Sequence, residues 1–169
     1  IHLWDKGLIY QGYKVVPYDP RIGATLSSHE VAQGYREVED PSVYVKFRVA
    51  GENNTFFLVW TTTPWTLPSN LLLAVHPDIE YVWVRRAGET LILAQPLLAA
   101  VLKDEDHEIV RSAPGRELDG MRYERLFDYL PVTGDVARVR PAEFVTIDDG
   151  TGIVHVAPAY GEDDLKLGQ

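Results

Sequence analysis

Apolar and polar residues alternate from Ser42 to Val49, where Val43, Val45, Phe47 and Val49 stand against Tyr44, Lys46 and Arg48. A β-rich run from Thr55 to Thr61 follows the Gly51-Glu52-Asn53-Asn54 turn. Period-two alternation puts one set of side chains on a buried face, so the two runs predict an antiparallel hairpin. A second hairpin is predicted from Glu80 to Arg86 and Glu89 to Leu93 around Ala87-Gly88. Pro96 to Leu102 then reads as a short helix with proline in its first turn. Further strands are expected at Glu108 to Ser112, Val136 to Val139, Glu143 to Ile147 and Gly152 to Val156. Upstream, Leu3, Trp4, Gly7 and Leu8 repeat at helical spacing between Ile1 and Tyr10, ahead of an apolar run from Tyr13 to Val16 that suggests a strand. Pro17-Tyr18-Asp19-Pro20 is turn chemistry, followed by a second short segment, Thr25 to Val31. Many short strands with few helices predict an α+β, β-rich fold with a barrel-like core and small peripheral helices. The expected division is a helix-plus-hairpin appendage over residues 1–40 and a core over residues 41–169.

Composition narrows what such a fold is for. The 169 residues suffice for a hydrophobic core without staples. With no cysteine, disulfides and thiolate metal sites are excluded. No apolar run approaches the roughly 18 residues of a membrane span, and no export signal opens the chain, so a cytoplasmic origin is the default. A net charge of -9 argues against a domain that grips a phosphate backbone on its own, and confines any nucleic-acid contact to a local patch. The abrupt beginning and end read as a piece of something longer.

Two stretches depart from ordinary turn or core sequence. Trp60-Thr61-Thr62-Thr63-Pro64-Trp65-Thr66-Leu67-Pro68-Ser69-Asn70 packs four threonines, a serine, an asparagine and two tryptophans into eleven positions. A single Thr-Thr pair there would be a polar strand end running into a proline turn. A whole shelf of hydroxyls can address a ribose, an ester carbonyl and a water without charge. The second stretch runs from Asp148 to Asp164, a glycine turn leading into an apolar strand that carries His155 and then an acidic helix start at Gly161-Glu162-Asp163-Asp164. Its glycines fit neither a GxGxxG nor a Walker loop. His2, His29, His76, His107 and His155 are too scattered for a metal site, and no Gly-x-Ser-x-Gly elbow is present. Paired acids at 148–149 and 163–164 could suggest glycosidase chemistry, but adjacent acids commonly just face water.

The first stretch resembles the threonine-rich peptide of the editing insertion shared by the isoleucyl-, valyl- and leucyl-tRNA synthetases. Gly150 to Asp164 resembles that insertion's second signature, GTG-(I/L/A)-V-H-x-A-P-A-x-G-x-x-D. Thr63, Trp65 and His155 favour the isoleucyl type, since the siblings usually carry arginine, an acid and no histidine there. No HIGH or KMSKS signature is present, so the resemblance implies an editing domain without a synthetic site. The head from Val16 to Ser27 resembles a knuckle that holds zinc in many relatives. Asp19 and Ile22 replace its cysteines, so no metal is expected, and no cofactor. Tyr160 stands where relatives often have His or Phe.

The resemblance implies hydrolysis of valine wrongly attached to tRNA(Ile), with valyl-adenylate a further substrate to consider. It implies that Asp164 pairs with the substrate's α-ammonium and that Thr61, Thr62 and Thr63 bind the ribose, ester carbonyl or water. Asn70 would hold that wall and His155 would line the amino-acid pocket, more as a steric and polar wall than as a base. Trp60 and Trp65 would pack beside the adenine or support the shelf, and Thr66, Ala157 and Asp163 would complete the substrate-binding set. The implied partners are the 3′ end of tRNA(Ile) carrying valine and the rest of a synthetase chain, with a monomer the simplest state. The competing readings are a non-catalytic module that binds an RNA end or a protein, and a purely structural insertion.

Overall fold

The computed structural model describes residues 2–103, 105–129 and 131–169; Ile1, at the start of the expected first helix and appendage, lies outside them. The chain divides into two compact units, 1–38 and 39–169. The first holds helix α1 (His2–Asp5), a two-stranded hairpin of β1 (Tyr18–Asp19) and β2 (Ala24–Thr25), and helix α2 (Ser28–Gln33). The strand expected at Tyr13 to Val16 is absent, since those residues carry no ladder. Asp19 shapes the knuckle: its carboxylate accepts from the backbone N–H of Arg21 at 2.7 Å, which closes the turn with an ordinary Asx bond. A capping box starts α2, Ser27 Oγ accepting from Glu30 N–H while the Glu30 carboxylate accepts from Ser27 N–H.

The second unit carries strands β3 (Val43–Arg48), β4 (Thr55–Thr61), β5 (Leu72–Val75), β6 (Glu80–Arg86), β7 (Glu89–Ala94), β8 (Glu108–Pro114), β9 (Arg138–Pro141) and β10 (Ile153–Val156), with helices α3 (Leu98–Leu102) and α4 (Glu162–Gly168). They form a five-stranded sheet in the order β3-β4-β7-β6-β8 and a three-stranded sheet in the order β10-β5-β9. Both expected hairpins are present, and they are joined by a parallel β4–β7 pairing. The strands make two sheets rather than a closed ladder. The strand expected at Glu143 to Ile147 is a run of turns instead, because Val145 is the buried member and its N–H turns back to Ala142.

Alternation on the strands explains the layers. Phe47, Phe57, Val59, Trp83 and Ile92 face Leu73, Val75, Val139 and Ile153 across the space between the sheets. The opposite face of the large sheet buries Leu58, Val82, Val84 and Leu93 against Leu98 and Leu102 of α3. On the far side of the small sheet, Leu72, Ala74 and Val156 pack with Ala142, Val145 and Leu167 of α4. β5 is thus buried on both faces, which is why its sequence shows no alternation.

The turn that feeds β10 is fixed from beneath. Tyr81 donates its hydroxyl hydrogen to Gly152 O at 2.6 Å and accepts from His76 N–H, and burial pushes its phenol up to about 12. Gly150 has φ +74°, and a Cβ there would stand 2.9 Å from the Trp60 ring. Gly152, at φ +70°, would set a Cβ 2.5 Å from that of Ala94. Only glycine permits both the left-handed backbone and the close approach.

Candidate functional site

β4 ends at Thr61, and the chain turns into a 3-10 helix, Pro64–Ser69, with proline in its first turn. The threonines build that turn themselves. Thr63 N–H donates to Thr61 Oγ1 at 3.0 Å, the two hydroxyls lie 3.3 Å apart, and Thr66 Oγ1 donates to the Thr63 carbonyl at 2.8 Å. β10 brings His155 alongside, its Nε2 lying 2.8 Å from Thr66 Oγ1. Because Thr66 has one hydroxyl hydrogen and the Thr63 carbonyl can only accept it, His155 Nε2 must be the donor to Thr66. Because burial also lowers its pKa, the ring at neutral pH is the neutral Nε2–H tautomer, and its buried Nδ1 has no hydrogen-bond partner among the described residues.

The strand-to-helix connection 157–160 closes as a turn, Tyr160 N–H donating to Ala157 O, and α4 follows. Its first turn holds Glu162, Asp163 and Asp164, which suits the positive end of the helix. Asp164 is half-buried and reaches back, its carboxylate accepting from Ala157 N–H. Gly161 makes room for it, since a Cβ at that position would stand 2.4 Å from Asp164 Oδ2. Burial pushes the Asp164 carboxyl above the usual carboxylate range, against the Ala157 hydrogen bond, and the neighbouring Asp163 charge adds to the rise.

These pieces meet in one cleft of about 350 Å³, lined by Trp60, Thr61, Thr63, Trp65, Thr66, Val154, His155, Ala157, Tyr160 and Asp164. Trp65 is 70% exposed and Tyr160 57%, so both stand at the rim. His155, 8% exposed, belongs to the wall. Thr62 faces instead a smaller hollow of about 190 Å³ on the other side of Trp60, with Thr146, Asp149 and Thr151. Asp163 points to the surface and pairs with Lys166 at 3.3 Å. Asn70 is buried behind the shelf, donating from Nδ2 to Leu72 O at 2.9 Å and accepting at Oδ1 from the Tyr123 hydroxyl at 2.6 Å. It ties the end of the 3-10 helix to β5. Val154 joins the lining without having been anticipated; its position in the strand beside His155 was the available signal. Among the described residues no group of three or more His, Asp or Glu is placed to hold a metal ion, and no helix is long and apolar enough to cross a membrane.

Two measurable consequences follow from this geometry. Asn70→Ala is expected to cost about 2–4 kcal/mol in denaturant melts, because the Tyr123 hydroxyl and the Leu72 carbonyl are left buried without their partner. An unaltered midpoint would mean that the tie contributes nothing. His155 gives a pH signature. Burial lowers its folded-state pKa below the ordinary 6.5, so in acid the unfolded chain takes up a proton that the folded one refuses. Stability is therefore full above pH 6.5 and is lost as pH falls toward and through the folded value, with a slope of at most about 1.4 kcal/mol per pH unit. Melts of His155→Gln across that range should show a flatter profile than wild type; identical profiles would contradict it.

No protein-family model matches the chain. Curated relatives do. The isoleucine--tRNA ligase of Clostridium acetobutylicum is 52% identical over 167 residues, covering 99% of this chain and 16% of the relative. That of Picrophilus torridus is 47% identical over 167 residues, with the same coverage. The chain therefore spans about a sixth of the length of the curated relatives it matches. Among solved structures, GlLeuRS-CP1 aligns with a TM-score of 0.64 at 16% identity, covering 75% of this chain and 58% of the other. The editing domain of the P. knowlesi cytosolic leucyl-tRNA synthetase aligns at 0.58 and 14% identity, covering 73% and 60%. Sequence and fold together place the chain in the isoleucine--tRNA ligase family, aligned with about a sixth of its members' length and sharing the α+β fold of the leucyl-tRNA synthetase editing domains.

Proposed function

We propose that the cleft is an editing site that hydrolyses the ester joining a wrongly attached valine to the 3′ end of tRNA(Ile). A hydrophobic pocket cannot reject valine strongly in favour of isoleucine, one methylene being worth only about 1–3 kcal/mol, a limit long recognised for this very pair of amino acids. A second site that admits the smaller residue and excludes the larger one supplies the missing discrimination.

The observation that carries this reading is the meeting of the threonine hydroxyls, the His155 wall and the Asp164 carboxylate in one cleft. The α-ammonium is the charged group that every aminoacyl ester presents, and Asp164, held by Ala157 N–H, is the carboxylate that faces the cleft. With the ammonium anchored there, the ester carbonyl lies toward the shelf. Thr61 and Thr63 position the carbonyl and a water, which attacks the carbonyl carbon. The tetrahedral oxyanion takes hydrogen bonds from the shelf and collapses by breaking the bond to the ribose oxygen. The products are free valine and a ribose hydroxyl, so the proton lost by the water ends on the leaving oxygen. His155 has no free nitrogen for proton transfer, since Nε2–H is committed to Thr66 and Nδ1 is sealed. Its role is to limit the side chain that fits. Valyl-adenylate offers the same ammonium and an activated carbonyl, and the rest of a cytoplasmic synthetase would deliver both substrates.

The decisive assay incubates the chain with valyl-tRNA(Ile) and isoleucyl-tRNA(Ile) and measures released amino acid. Valine should leave at least about tenfold faster, as expected for one methylene. Release of neither, at concentrations where the tRNA is bound, would mark the cleft as a binding module.

A further inference from the structure

The pairing of β10 with β5 runs from Val156↔Leu72 to Ile153↔Val75, so the next pair in register would be Gly152 and His76. The ladder ends at that rung, and the hydroxyl of Tyr81 stands between the two. It accepts from His76 N–H at 2.9 Å and donates to Gly152 O at 2.6 Å. A phenol is both donor and acceptor, so one oxygen satisfies both backbone groups, and two bonds in place of one set the strands further apart there. The Tyr81 side chain is fully buried, and its phenol, pushed up to about 12 by burial, stays protonated and therefore a donor at neutral pH. Gly115 completes the seat: a Cβ there would stand 2.8 Å from Tyr81 Cε2 and 2.1 Å from His76 O.

What this rung holds is the 150–152 turn, which has contacts on two further sides. Gly150 lies against the Trp60 ring, and Thr151 O accepts from Ala94 N–H at 2.9 Å. Gly150 and Gly152 both sit at positive φ and have no side chain to restrain them. The turn therefore depends on the bonds to its carbonyls. Two residues of the cleft lining depend on the turn in their own ways: Trp60 rests on it, and His155 stands on the strand that leaves it. Tyr81 is not part of that lining.

We propose that Tyr81 is a positioning residue of the cleft, its hydroxyl fixing the 150–152 turn and thereby the places of Trp60 and His155 that decide which side chain fits. This rests on the editing reading above, which makes the fit of the amino acid the purpose of that wall. Without the hydroxyl, His76 N–H and Gly152 O have two courses open. They close on each other, which draws the start of β10 toward β5, or they stay buried without a partner, which leaves the glycines unrestrained. In both cases the turn shifts beneath Trp60 and the wall around His155 loses definition. A site that sorts by one methylene needs its walls held to within about 0.5 Å, so a displaced turn is felt first as lost selectivity.

The test compares wild type with Y81F, which keeps the ring and its packing, and with L102A, which truncates a buried side chain of α3 on the other face of the large sheet. The first readout is the ratio of kcat/KM for valyl-tRNA(Ile) to that for isoleucyl-tRNA(Ile). Both substrates meet the same folded molecules, so the ratio does not depend on how much of a weakened variant is folded. The second is amide hydrogen exchange at Ala94, whose N–H bonds to Thr151 O and not to Tyr81, relative to amides in the middle of β6 and β7. In Y81F the ratio should fall roughly tenfold, the lower end of what one methylene is worth, chiefly through faster release of isoleucine. Ala94 exchange should quicken by more than the reference amides, whereas in L102A the ratio should hold and all these amides should change in step. If wild type edits but, in Y81F, either the ratio is unchanged or Ala94 keeps step with the reference amides, Tyr81 serves the fold alone. The proposal is then overturned while the editing reading stands. An equal fall of the ratio in L102A overturns it as well, since any loosening would then suffice. If wild type releases neither amino acid, the editing reading is removed and exchange alone decides: local quickening at Ala94 upholds the turn's dependence on Tyr81, and exchange in step overturns it.

Discussion

Asp164→Asn should lower kcat/KM for valyl-tRNA(Ile) by roughly 10²–10³-fold without loosening the fold. The size follows from removing one partner of a desolvated charge pair, which typically costs about 2–5 kcal/mol. The amide is isosteric and still accepts from Ala157 N–H, so the loss isolates the charge. Stability should move the other way. A folded-state pKa above the unfolded one means that the ionised carboxylate is less welcome in the fold than in water, so its penalty is fully present above the folded pKa and relieved as pH falls through it. At neutral pH the variant's melting temperature should equal or exceed that of wild type, the familiar opposition between a strained functional group and stability. The wild-type kcat/KM profile should also carry an acid limb above the ordinary carboxylate range, because the anchoring group must be ionised. Undiminished hydrolysis by the variant would leave the ammonium without its proposed partner.

The second large effect is a gain. His155→Ala should raise hydrolysis of isoleucyl-tRNA(Ile) by roughly 10–100-fold, the range expected when a wall excluding one methylene is removed. Thr66 keeps its bond to the Thr63 carbonyl, so the shelf survives the change. Valine hydrolysis should fall far less, because the proposed mechanism routes no proton through the ring. A pronounced loss of valine hydrolysis with selectivity preserved would assign the histidine to chemistry instead of sorting.

Much of the arrangement was legible before any coordinates. β4 and the β6–β7 hairpin are marked by alternation and by Gly88, and of the residues singled out in the threonine shelf and the 150–164 signature, most converge on one cleft while Thr62, Asn70 and Asp163 do not line it. What stayed hidden shares a physical cause. Leu71 to Val75 is apolar throughout because β5 is covered on both sides, so no period announced it. The run at 143–147 has strand-like residues but spends its buried member, Val145, on a turn. Pro64 and Pro68 obscured a 3-10 helix whose bonds come partly from threonine side chains. The partner of Asn70 is Tyr123, 53 positions away, and no local pattern points across that distance.

Gly161 sets the reach of the Asp164 carboxylate, the proposed anchor, without taking part in it. Its backbone, at φ -139° and ψ 144°, is open to any residue, so a methyl group there would meet only the far end of a flexible acid. The acid would swing aside at small energetic penalty. A chain altered at 161 would therefore keep its full complement of functional groups, yet the carboxylate proposed to hold the amine would stand elsewhere and, because burial and the Ala157 N–H set its ionisation, titrate differently as well.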